Sequence, residues 1–283
     1  MSEFSLPALV VEPIVRAALL EDLGRAGDLT TEAVVPRAHR ARMSLVARQE
    51  GVVAGLDLAE CAFRLIDPEI ALRRAVGDGV RVAPGQAIAT IEGPARGMLT
   101  AERTALNFLC RLSGIASATA ALSAAISGHK AKIVCTRKTT PGLRAVEKYA
   151  VRAGGGSNHR FGLDDAVLIK DNHIAVAGGI RPALERVKAR VGHLVKVEIE
   201  VDTLAQLDEV LAFGADAVLL DNMPPQMLRQ AVAVVAGRML TEASGRVSPA
   251  TAPAIAATGV DLISVGWLTH STPILDIGLD VEV

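Results

Sequence analysis

Positively charged side chains follow two apolar runs of this chain, at the point where each run ends. Arg137 and Lys138 come after the apolar residues 133–135, and Lys170 follows 166–169. Each charge-assisted hydrogen bond to a carboxylate or phosphate contributes about 1.5–3 kcal/mol. A solvated basic surface is the ordinary alternative, but these cations lie at the ends of apolar runs and not along one exposed helix face. The pattern therefore predicts a site for a ligand with several negative charges.

A glycine run lies between those two groups of cations. Residues 154–156 are all glycine, and His159 and Arg160 follow them closely. Glycine lets a loop backbone adopt conformations and close approaches that other residues resist. The stretch 132–173 thus combines two strand-like runs, a glycine loop and a dense set of cations. We interpret this stretch as the centre of the functional site.

Acidic residues occur in the apolar runs that come later in the chain. Because side chains alternate along a strand, Lys196, Glu198 and Glu200 share one face of the run 194–201. Asp221 ends the next run. Acids and cations in one site indicate a divalent metal or a developing positive charge, and a substrate that carries pyrophosphate with Mg²⁺ requires both. Two ordinary alternatives stay open: Lys196 could pair with Glu198, and Asp221 could cap the next helix.

The last two apolar runs end in small residues. Ser244-Gly245 precedes a predicted helix, where free backbone N–H groups favour a phosphate, although an ordinary helix-start turn has the same pattern. Gly266 permits close approach of the backbone to a ligand. From the pattern alone, Trp267 suggests a packing residue and His270 an ordinary loop histidine.

Repeated βα units must position these residues, because apolar runs alternate with helical patterns from residue 131 onward. The predicted strands are 132–136, 166–170, 194–201, 216–221, 238–243 and 260–265. The predicted helices between them are 142–153, 175–191, 203–213, 225–236 and 248–258. Such units form a parallel sheet covered by helices. Six units without a GxGxxG motif favour a closed or partly open βα barrel over a dinucleotide-binding sheet, and barrel active sites lie at the carboxyl ends of the strands.

The first part of the chain has a different pattern. It indicates a small α+β domain with antiparallel strands. The predicted elements are a helix from Pro13, strands within 40–54, a helix over 56–66 and turn-separated strands within 70–93. A long helical pattern from Leu99 to Ile126, broken or kinked near Ser113-Gly114, leads to the barrel. We predict an N-terminal domain with its linking helix, a barrel domain and a tail that packs on the N-terminal domain. Their residues are 1–112, 113–272 and 273–283, respectively.

Composition excludes several classes of function. Aromatic residues make up 2% of the chain and the net charge is −1, so a nucleic-acid surface of stacked aromatics in a positive field is not expected. The N-terminus lacks the pattern of a signal peptide, and the longest uncharged run, 112–129, is too rich in small residues to span a membrane. Cys61, Cys110 and Cys135 lack metal-ligand spacing. We therefore expect a cytoplasmic protein with reduced thiols.

The cations, glycines and acids described above fall into short motifs. These are Thr136-Arg137-Lys138-Thr139-x-Pro141-Gly142, Gly154-Gly155-Gly156-x-Asn158-His159-Arg160, Ile169-Lys170-Asp171-Asn172-His173, Glu198-x-Glu200-Val201-Asp202, Leu220-Asp221-Asn222 and Gly259-Val260-Asp261. With these motifs in order, the chain resembles the quinolinate phosphoribosyltransferase family from Asp28 to Leu279. The resemblance implies an α/β fold: an incomplete, about six-stranded parallel α/β barrel preceded by a small α+β open-sandwich domain. It also implies that quinolinate and phosphoribosyl pyrophosphate give nicotinate mononucleotide, pyrophosphate and CO₂, with Mg²⁺, in NAD synthesis.

The resemblance also implies roles for individual residues. The quinolinate pocket would be lined by Arg137, His159, Arg160 and Lys170. The phosphoribosyl donor or its metal would be held by Lys138, Glu200, Asp221, Ser244 and Gly266. Of these, Lys138, Glu200 and Asp221 would be catalytic, and Glu200 and Asp221 would hold Mg²⁺ through the pyrophosphate. Further substrate-binding positions would be Thr136, Gly245, Arg246, Val265, Trp267 and His270.

The resemblance further implies a homodimer or larger assembly, in which Arg103 reaches into the site of the partner. One residue departs from the family, which usually has Gly or Asn at the position of Arg246. Arg246 could add a phosphate contact or point to solvent. This departure bears on the phosphate loop and not on the reaction.

Three other functions stay open. Lys170 could be the Schiff-base nucleophile of a barrel lyase. The chain could be a non-catalytic phosphosugar-binding paralogue of the same fold, although Glu200 and Asp221 are both present. It could also use nicotinate, but a single carboxylate hardly requires so many cations.

Overall fold

A computed structural model of the protein describes residues 5–281, which form two compact units. The first unit contains the residues up to Ala120, Thr139–Gly155 and the residues from Leu268 onward. The second contains Ala121–Lys138 and Gly156–Trp267. Residues 1–4 and 282–283, which the predicted N-terminal domain and C-terminal tail include, lie outside the described residues. The domain boundaries at residues 112 and 272 stay predictions.

Helices and short strands mix in the N-terminal part of the chain. In order they are α1 (Ala8–Leu23), α2 (Leu29–Val34), β1 (Arg40–Ala47), β2 (Gly51–Val52), α3 (Leu56–Ile66), β3 (Ala71–Arg74), β4 (Arg81–Val82), β5 (Ala87–Pro94) and α4 (Ala95–Ala125). The helix predicted from Pro13 starts at Ala8, and Pro13 lies inside it. The helix predicted over 56–66 is α3. Its residues Leu56, Ala59 and Phe63 are buried, at the spacing that gives a helix one apolar face.

Strands and helices alternate regularly in the rest of the chain. In order they are β6 (Lys132–Val134), α5 (Arg144–Ala153), β7 (Val167–Ile169), α6 (Asp171–Ala177), α7 (Ile180–Arg190), β8 (Val197–Val201), α8 (Leu204–Phe213), β9 (Ala217–Asp221), α9 (Pro225–Val235), β10 (Leu240–Ser244), α10 (Ala252–Ala256), β11 (Leu262–Ser264), a 3₁₀ helix (Gly266–Thr269) and β12 (Ile277–Val281). The single helix predicted over 175–191 is wrong. Gly178 and Gly179 both have positive φ, so α6 ends there and α7 starts afresh.

The second unit is built on a six-stranded parallel sheet with the order β6-β11-β10-β9-β8-β7. This confirms the predicted incomplete α/β barrel. β6 and β7 follow each other in the chain but form the two edges of the sheet, so the barrel is open between them. Along β8, Val197, Ile199 and Val201 are buried on one face while Glu198 and Glu200 share the other. The glutamates face the barrel interior.

The first unit contains a four-stranded antiparallel sheet with the order β12-β1-β5-β3. In its middle, Leu45 of β1 lies opposite Leu279 of β12 and Ala89 of β5. The two strands predicted within 40–54 are β1 and β2, but β2 pairs with β4 in a separate two-stranded sheet. The small sheet domain predicted from the sequence is therefore confirmed, and β12 joins it from the end of the chain.

The long helix α4 runs without interruption through Ser113 and Gly114, so the predicted break is wrong. Gly114 serves close packing instead. A Cβ built on Gly114 would lie 2.2 Å from the carbonyl oxygen of Pro273, and one on Gly154 would lie 2.3 Å from that of Ala116. The glycines therefore mark places where other backbone segments touch this helix.

Among the described residues, α4 is long and apolar enough to cross a membrane by length and composition. However, 50% of its most apolar window is buried inside the fold. A core helix has this property, and we interpret α4 as the core helix of the first unit.

The cysteines take no part in cross-linking. Cys61, Cys110 and Cys135 are buried and free of disulfide bonds. Burial raises the pKa of the Cys61 and Cys110 thiols. These two thiols are therefore packing residues and poor nucleophiles.

The packing at Gly114 predicts that Gly114→Ala destabilises the protein, although alanine favours a helix over glycine by about 1 kcal/mol. The added methyl group overlaps backbone, which has little room to move. We expect the free energy of unfolding in urea to fall by about 1–3 kcal/mol. Gly192→Ala is the control, since a Cβ there meets no atom within 4 Å. Unchanged or increased stability of Gly114→Ala would contradict the close packing.

Candidate active site

The carboxyl ends of the parallel strands surround a cavity of about 380 Å³ in the second unit. Residues of opposite charge share its wall. Of the predicted site residues, those that line it are Thr136, Arg137, Lys138, His159, Arg160, Lys170, Glu200, Asp221 and Ser244. Leu168, Leu219, Glu242 and Ser264 complete the lining. We call this space the mouth cavity.

The other predicted residues lie in loops or in the first unit. Gly245 and Arg246 follow β10, and Val265, Gly266 and Trp267 follow β11. A Cβ on Gly266 would lie 2.9 Å from Cδ of Lys138, so glycine leaves room for the lysine stem. The indole Nε1 of Trp267 donates to the carbonyl of Val247 at 2.8 Å, a packing contact within the loops. Arg103 and His270 belong to the first unit, and both are exposed.

The segment after the glycine run attaches to the open edge of the barrel. Ser157 pairs in parallel with Val134 of β6, and the amide of Ser157 donates to the carbonyl of Ile133 at 2.8 Å. At the end of this segment, Nη1 of Arg160 donates to the carbonyl of Ala166, just before β7, at 3.0 Å. Residues 157–160 are therefore held by both edge strands. The glycines that precede them allow the chain to leave α5 and reach this position.

Two guanidinium groups face each other across the cation side of the mouth cavity. The pKa of Arg160 is lowered, first by burial and then by the positive charge of Arg137. Within residues 5–281, Nε of Arg160 is buried and meets no hydrogen-bond partner. A buried donor beside a second guanidinium favours an anion, because an anion satisfies the donor and relieves the repulsion. This is the arrangement that the sequence predicted for a ligand with several negative charges.

The acids Glu200 and Asp221 end neighbouring strands on another wall of the mouth cavity. Burial raises the pKa of Glu200, and the charges of Asp221, Asp171 and Asp202 add to that effect, while Lys170 opposes it. The ammonium of Lys170 lies 4.0 Å from the carboxylate of Glu200. Crowded carboxylate oxygens with one weak cationic partner suit a divalent cation such as Mg²⁺.

Asp221 is oriented by its neighbour and does not cap α9. The side-chain amide of Asn222 donates to Asp221 at 2.6 Å, while Pro224 occupies the start of α9. Asn222 has a φ of 52°, and its backbone N–H donates to the carbonyl of Ser244 at 2.9 Å. A left-handed backbone at a non-glycine residue is strained, and such strain is common at functional loops. The capping alternative for Asp221 is therefore wrong.

The loop after β10 is not the start of a helix. The helix predicted to begin at residue 248 begins at Ala252, so its N-terminus is removed from Ser244-Gly245. Gly245 has a φ of 106°, and a Cβ on it would lie 2.2 Å from Oδ1 of Asn222. Arg246 is exposed and has a φ of 48°. Any phosphate contact here must therefore come from the residues of this loop, and not from the N-terminus of α10.

Two buried acids at the base of the mouth cavity were missed as site residues. Nε2 of His159 lies 2.8 Å from Glu198 and 3.7 Å from Glu242. Nδ1 of His159 accepts the backbone N–H of Arg160 at 2.7 Å, so Nε2 carries the ring proton and donates it to Glu198. Strand alternation could have found both acids, because Glu198 shares a face with Glu200, and Glu242 with Ser244.

The charge on Glu242 is unfavourable in this position. Its side chain is 1% exposed. Burial, followed by the neighbouring charge of Glu198, raises its pKa to about 7, and His159 opposes the rise. Lys196 does not compensate, because its ammonium pairs with Asp216 at 2.5 Å. The pairing of Lys196 with Glu198 considered from the sequence is therefore wrong.

Comparisons with known proteins agree along nearly the whole chain. Residues 28–113 match the family model described as "Quinolinate phosphoribosyl transferase, N-terminal domain", and residues 115–280 match the corresponding C-terminal domain. The two matches cover the antiparallel sheet region and the parallel barrel in turn.

Individual relatives are similar over the same length. The nicotinate-nucleotide pyrophosphorylase (carboxylating) of Mycobacterium leprae is 49% identical over 273 residues, which are 94% of this chain and 95% of that protein. A probable enzyme of the same name from Bacillus subtilis is 42% identical over 275 residues, 97% of this chain and 94% of that protein. The solved structure of the nicotinate-nucleotide pyrophosphorylase from Francisella tularensis has a TM-score of 0.94 at 39% identity and covers 98% of both chains.

Proposed function

The chain belongs to the quinolinate phosphoribosyltransferase family, and we propose from this premise how its site acts. The enzyme transfers a phosphoribosyl group from phosphoribosyl pyrophosphate to quinolinate, and the products are nicotinate mononucleotide, pyrophosphate and CO₂. This reaction serves NAD biosynthesis. The observation that carries the proposal is the mouth cavity, which holds paired guanidiniums and crowded carboxylates within one space.

The cation side of the mouth cavity binds quinolinate. Quinolinate carries two carboxylates on adjacent ring carbons, and Arg137, Arg160 and Lys170 offer three cations to them. Planar guanidiniums pair with carboxylates in two-pronged hydrogen bonds. Support comes from the buried Nε of Arg160. His159 holds Arg160 in place, because its ring contacts both Glu198 and the backbone N–H of Arg160.

The acid side binds phosphoribosyl pyrophosphate. Lys138 lies over Gly266, and Ser244 lines the cavity beside it, so these residues suit the pyrophosphate. Glu200 and Asp221 would hold Mg²⁺ through the pyrophosphate, as their crowding allows. When bound, the metal would neutralise charge on the leaving pyrophosphate. Thr136, Gly245, Arg246, Val265, Trp267 and His270 stay predicted substrate contacts.

The chemical steps follow from this division of the site. The ring nitrogen of quinolinate attacks C1 of the ribose as the bond to pyrophosphate breaks, and C1 gains positive charge. Glu200 and Asp221 stabilise that charge, and Lys138 neutralises the leaving group. The ring nitrogen then carries a positive charge next to the carboxylate at position 2. That carboxylate leaves as CO₂, because the adjacent cationic nitrogen stabilises the electron pair left on the ring carbon.

We also propose a cytoplasmic homodimer or larger homo-oligomer. Arg103 is exposed on α4, where it is available to reach the site of a second subunit and add a further cation for quinolinate. Buried free thiols and a core helix in place of a membrane span support the cytoplasmic location. Family membership does not favour a Schiff-base lyase at Lys170 or a non-catalytic paralogue.

Substrate choice is the direct test of the proposed function. Incubation of the protein with Mg²⁺, phosphoribosyl pyrophosphate and quinolinate is expected to give nicotinate mononucleotide and CO₂ in equal amounts. Nicotinate in place of quinolinate is expected to give no product, because one carboxylate leaves buried cations unsatisfied. Chromatography and carboxyl-labelled quinolinate measure both products. Product from nicotinate alone would overturn the assignment of quinolinate.

Removal of one guanidinium tests the quinolinate pocket. Arg137→Ala and Arg160→Ala each remove a charge-assisted contact of about 1.5–3 kcal/mol, which lowers kcat/KM for quinolinate by about 10- to 150-fold. The KM for phosphoribosyl pyrophosphate should change little. Arg190→Ala, at the exposed end of α7, is the matched control. Normal kinetics in Arg137→Ala or Arg160→Ala would refute the pocket assignment.

Metal removal tests the acid side. Calorimetry is expected to show that Mg²⁺ tightens the binding of phosphoribosyl pyrophosphate to the protein, and that a chelator removes both this effect and turnover. Asp221→Asn should reduce the Mg²⁺-dependent gain in affinity by about tenfold or more, the equivalent of one charged contact. Asp208→Asn, exposed on α8, is the control. An unchanged gain in Asp221→Asn would exclude Asp221 as a ligand.

A further inference from the structure

A second, larger cavity lies on the other side of the buried acids. It measures about 690 Å³ and is lined by residues at the amino ends of the parallel strands. It shares His159, Arg160 and Glu242 with the mouth cavity. These residues therefore form a thin partition between the reacting groups and a space that opens at the opposite end of the barrel. We call this space the lower cavity.

The lower cavity is not built to hold an anion. The cations at its rim already have partners: Lys130 pairs with Asp261 at 2.8 Å, and Lys196 pairs with Asp216 at 2.5 Å. Arg238 donates to the backbone carbonyls of Val234 and Val235 at the end of α9. What the lower cavity offers is a space that brings solvent up to the partition in which Glu242 is buried.

The proposed reaction requires one proton inside the barrel. Loss of CO₂ leaves an electron pair on the ring carbon, and this pair must accept a proton before nicotinate mononucleotide is complete. The guanidiniums of Arg137 and Arg160 do not release protons at neutral pH. A neutral carboxylic acid next to the mouth cavity is a suitable donor.

Glu242 has the surroundings of such an acid. Three groups face it: Glu198 from β8, the ring of His159 from the 157–160 segment and the hydroxyl of Ser264 from β11. The other charged groups that line the same mouth cavity include Arg160, Lys138 and Glu200. Oε1 of Glu242 is buried and has no hydrogen-bond partner within the described part of the chain. Glu198 already accepts the Nε2 proton of His159. Two adjacent buried carboxyl groups do not both ionise readily, so one of them retains a proton. The raised pKa of Glu242 agrees with this geometry.

We propose that Glu242 donates the proton that replaces the lost carboxylate on the pyridine ring, and that solvent restores this proton through the lower cavity. The proposal rests on the proposed function. The bond between the ring carbon and its carboxylate breaks, CO₂ leaves, and the electron pair stays on the ring carbon. That pair takes the proton of Glu242, and the electrons of the O–H bond stay on the Glu242 carboxylate. A proton from solvent then returns Glu242 to its acid form.

The test compares Glu242→Gln with Glu242→Asp in the full-length enzyme. Both changes alter the same buried position, but only Asp keeps a carboxyl group that can donate a proton. Glu242→Gln should lower kcat by about 100-fold, within the range of general acid catalysis, while the KM for quinolinate stays within about threefold. Glu242→Asp should recover part of kcat. Equal kcat in the wild type and Glu242→Gln would overturn the proposal.

The pH dependence gives a readout that a purely structural role would not change. Because the acid form is required, kcat of the wild type should fall as pH rises through about 7, and this fall should be absent in Glu242→Gln. Glu198→Gln removes the neighbouring negative charge, so the fall should move to lower pH. A fall that stays in place in Glu198→Gln, or that persists in Glu242→Gln, would assign the proton to another group such as Lys138 or Lys170.

Stability measurements cover the case in which Glu242→Gln loses activity by misfolding. The pKa of Glu242 is higher in the folded chain than in the unfolded one, so its contribution to stability is complete at low pH and is lost as pH rises through about 7. The unfolding midpoint of Glu242→Gln should therefore match the wild type near pH 5 and exceed it at pH 8. A lower midpoint at both pH values would overturn the assignment of a protonated Glu242. Wild-type turnover of quinolinate, measured in the same assays, tests the proposed function separately.

Discussion

Side-chain alternation along the parallel strands fixes the depth of the acidic groups in this site. Two residues advance a strand by about 6.6 Å, so Glu200 and Glu198 of β8 lie in different layers of the barrel, as do Ser244 and Glu242 of β10. The upper layer lines the mouth cavity beside cations, whereas the lower layer is nearly sealed from solvent. The same residue type therefore has two chemistries. Glu200 can act as a charged ligand, while Glu242 favours its neutral acid form.

The missing strands of the barrel make room for this polar interior. A complete eight-stranded barrel fills its centre with layers of apolar side chains. Here β6 and β7 do not pair, and residues 157–160 attach to both edges instead. The segment carries His159 inward and Arg160 to the mouth cavity. Partial burial of His159 is tolerated because both of its ring nitrogens have partners. The glycine run matters because it lets the chain turn from α5 into this segment, with Gly155 at a φ of 82°.

The sequence was most informative where local patterns decide structure. The six barrel strands were predictable because each is an apolar run that ends in polar residues, and the positions of Arg137, Lys170 and Asp221 followed from those ends. Long-range packing was not predictable. Gly114 suggested a helix break, because the carbonyl of Pro273 that it accommodates lies far away in sequence. Residues 175–191 suggested one helix because the two adjacent glycines could equally have been tolerated inside it. Glu242 was visible as an acid, but its burial beside Glu198, with the His159 ring 3.7 Å away, depends on long-range packing.

Cations and acids of the mouth cavity lie on different parts of the barrel wall. This separation bears on how substrate binding and product release would follow each other. The cations flank the open edge: Arg137 follows β6, Arg160 ends the segment 157–160, and Lys170 follows β7. The acids Glu200 and Asp221 belong to the paired strands, as does Ser244. In the proposed reaction, a dicarboxylate held at the open edge would present its ring nitrogen to the opposite wall, where the carboxylates would stabilise positive charge on the sugar. Arg137 and Arg160 repel each other until an anion lies between them. One of the two carboxylate charges would be lost when CO₂ leaves, so the same repulsion that would favour binding of quinolinate would weaken the hold on the product.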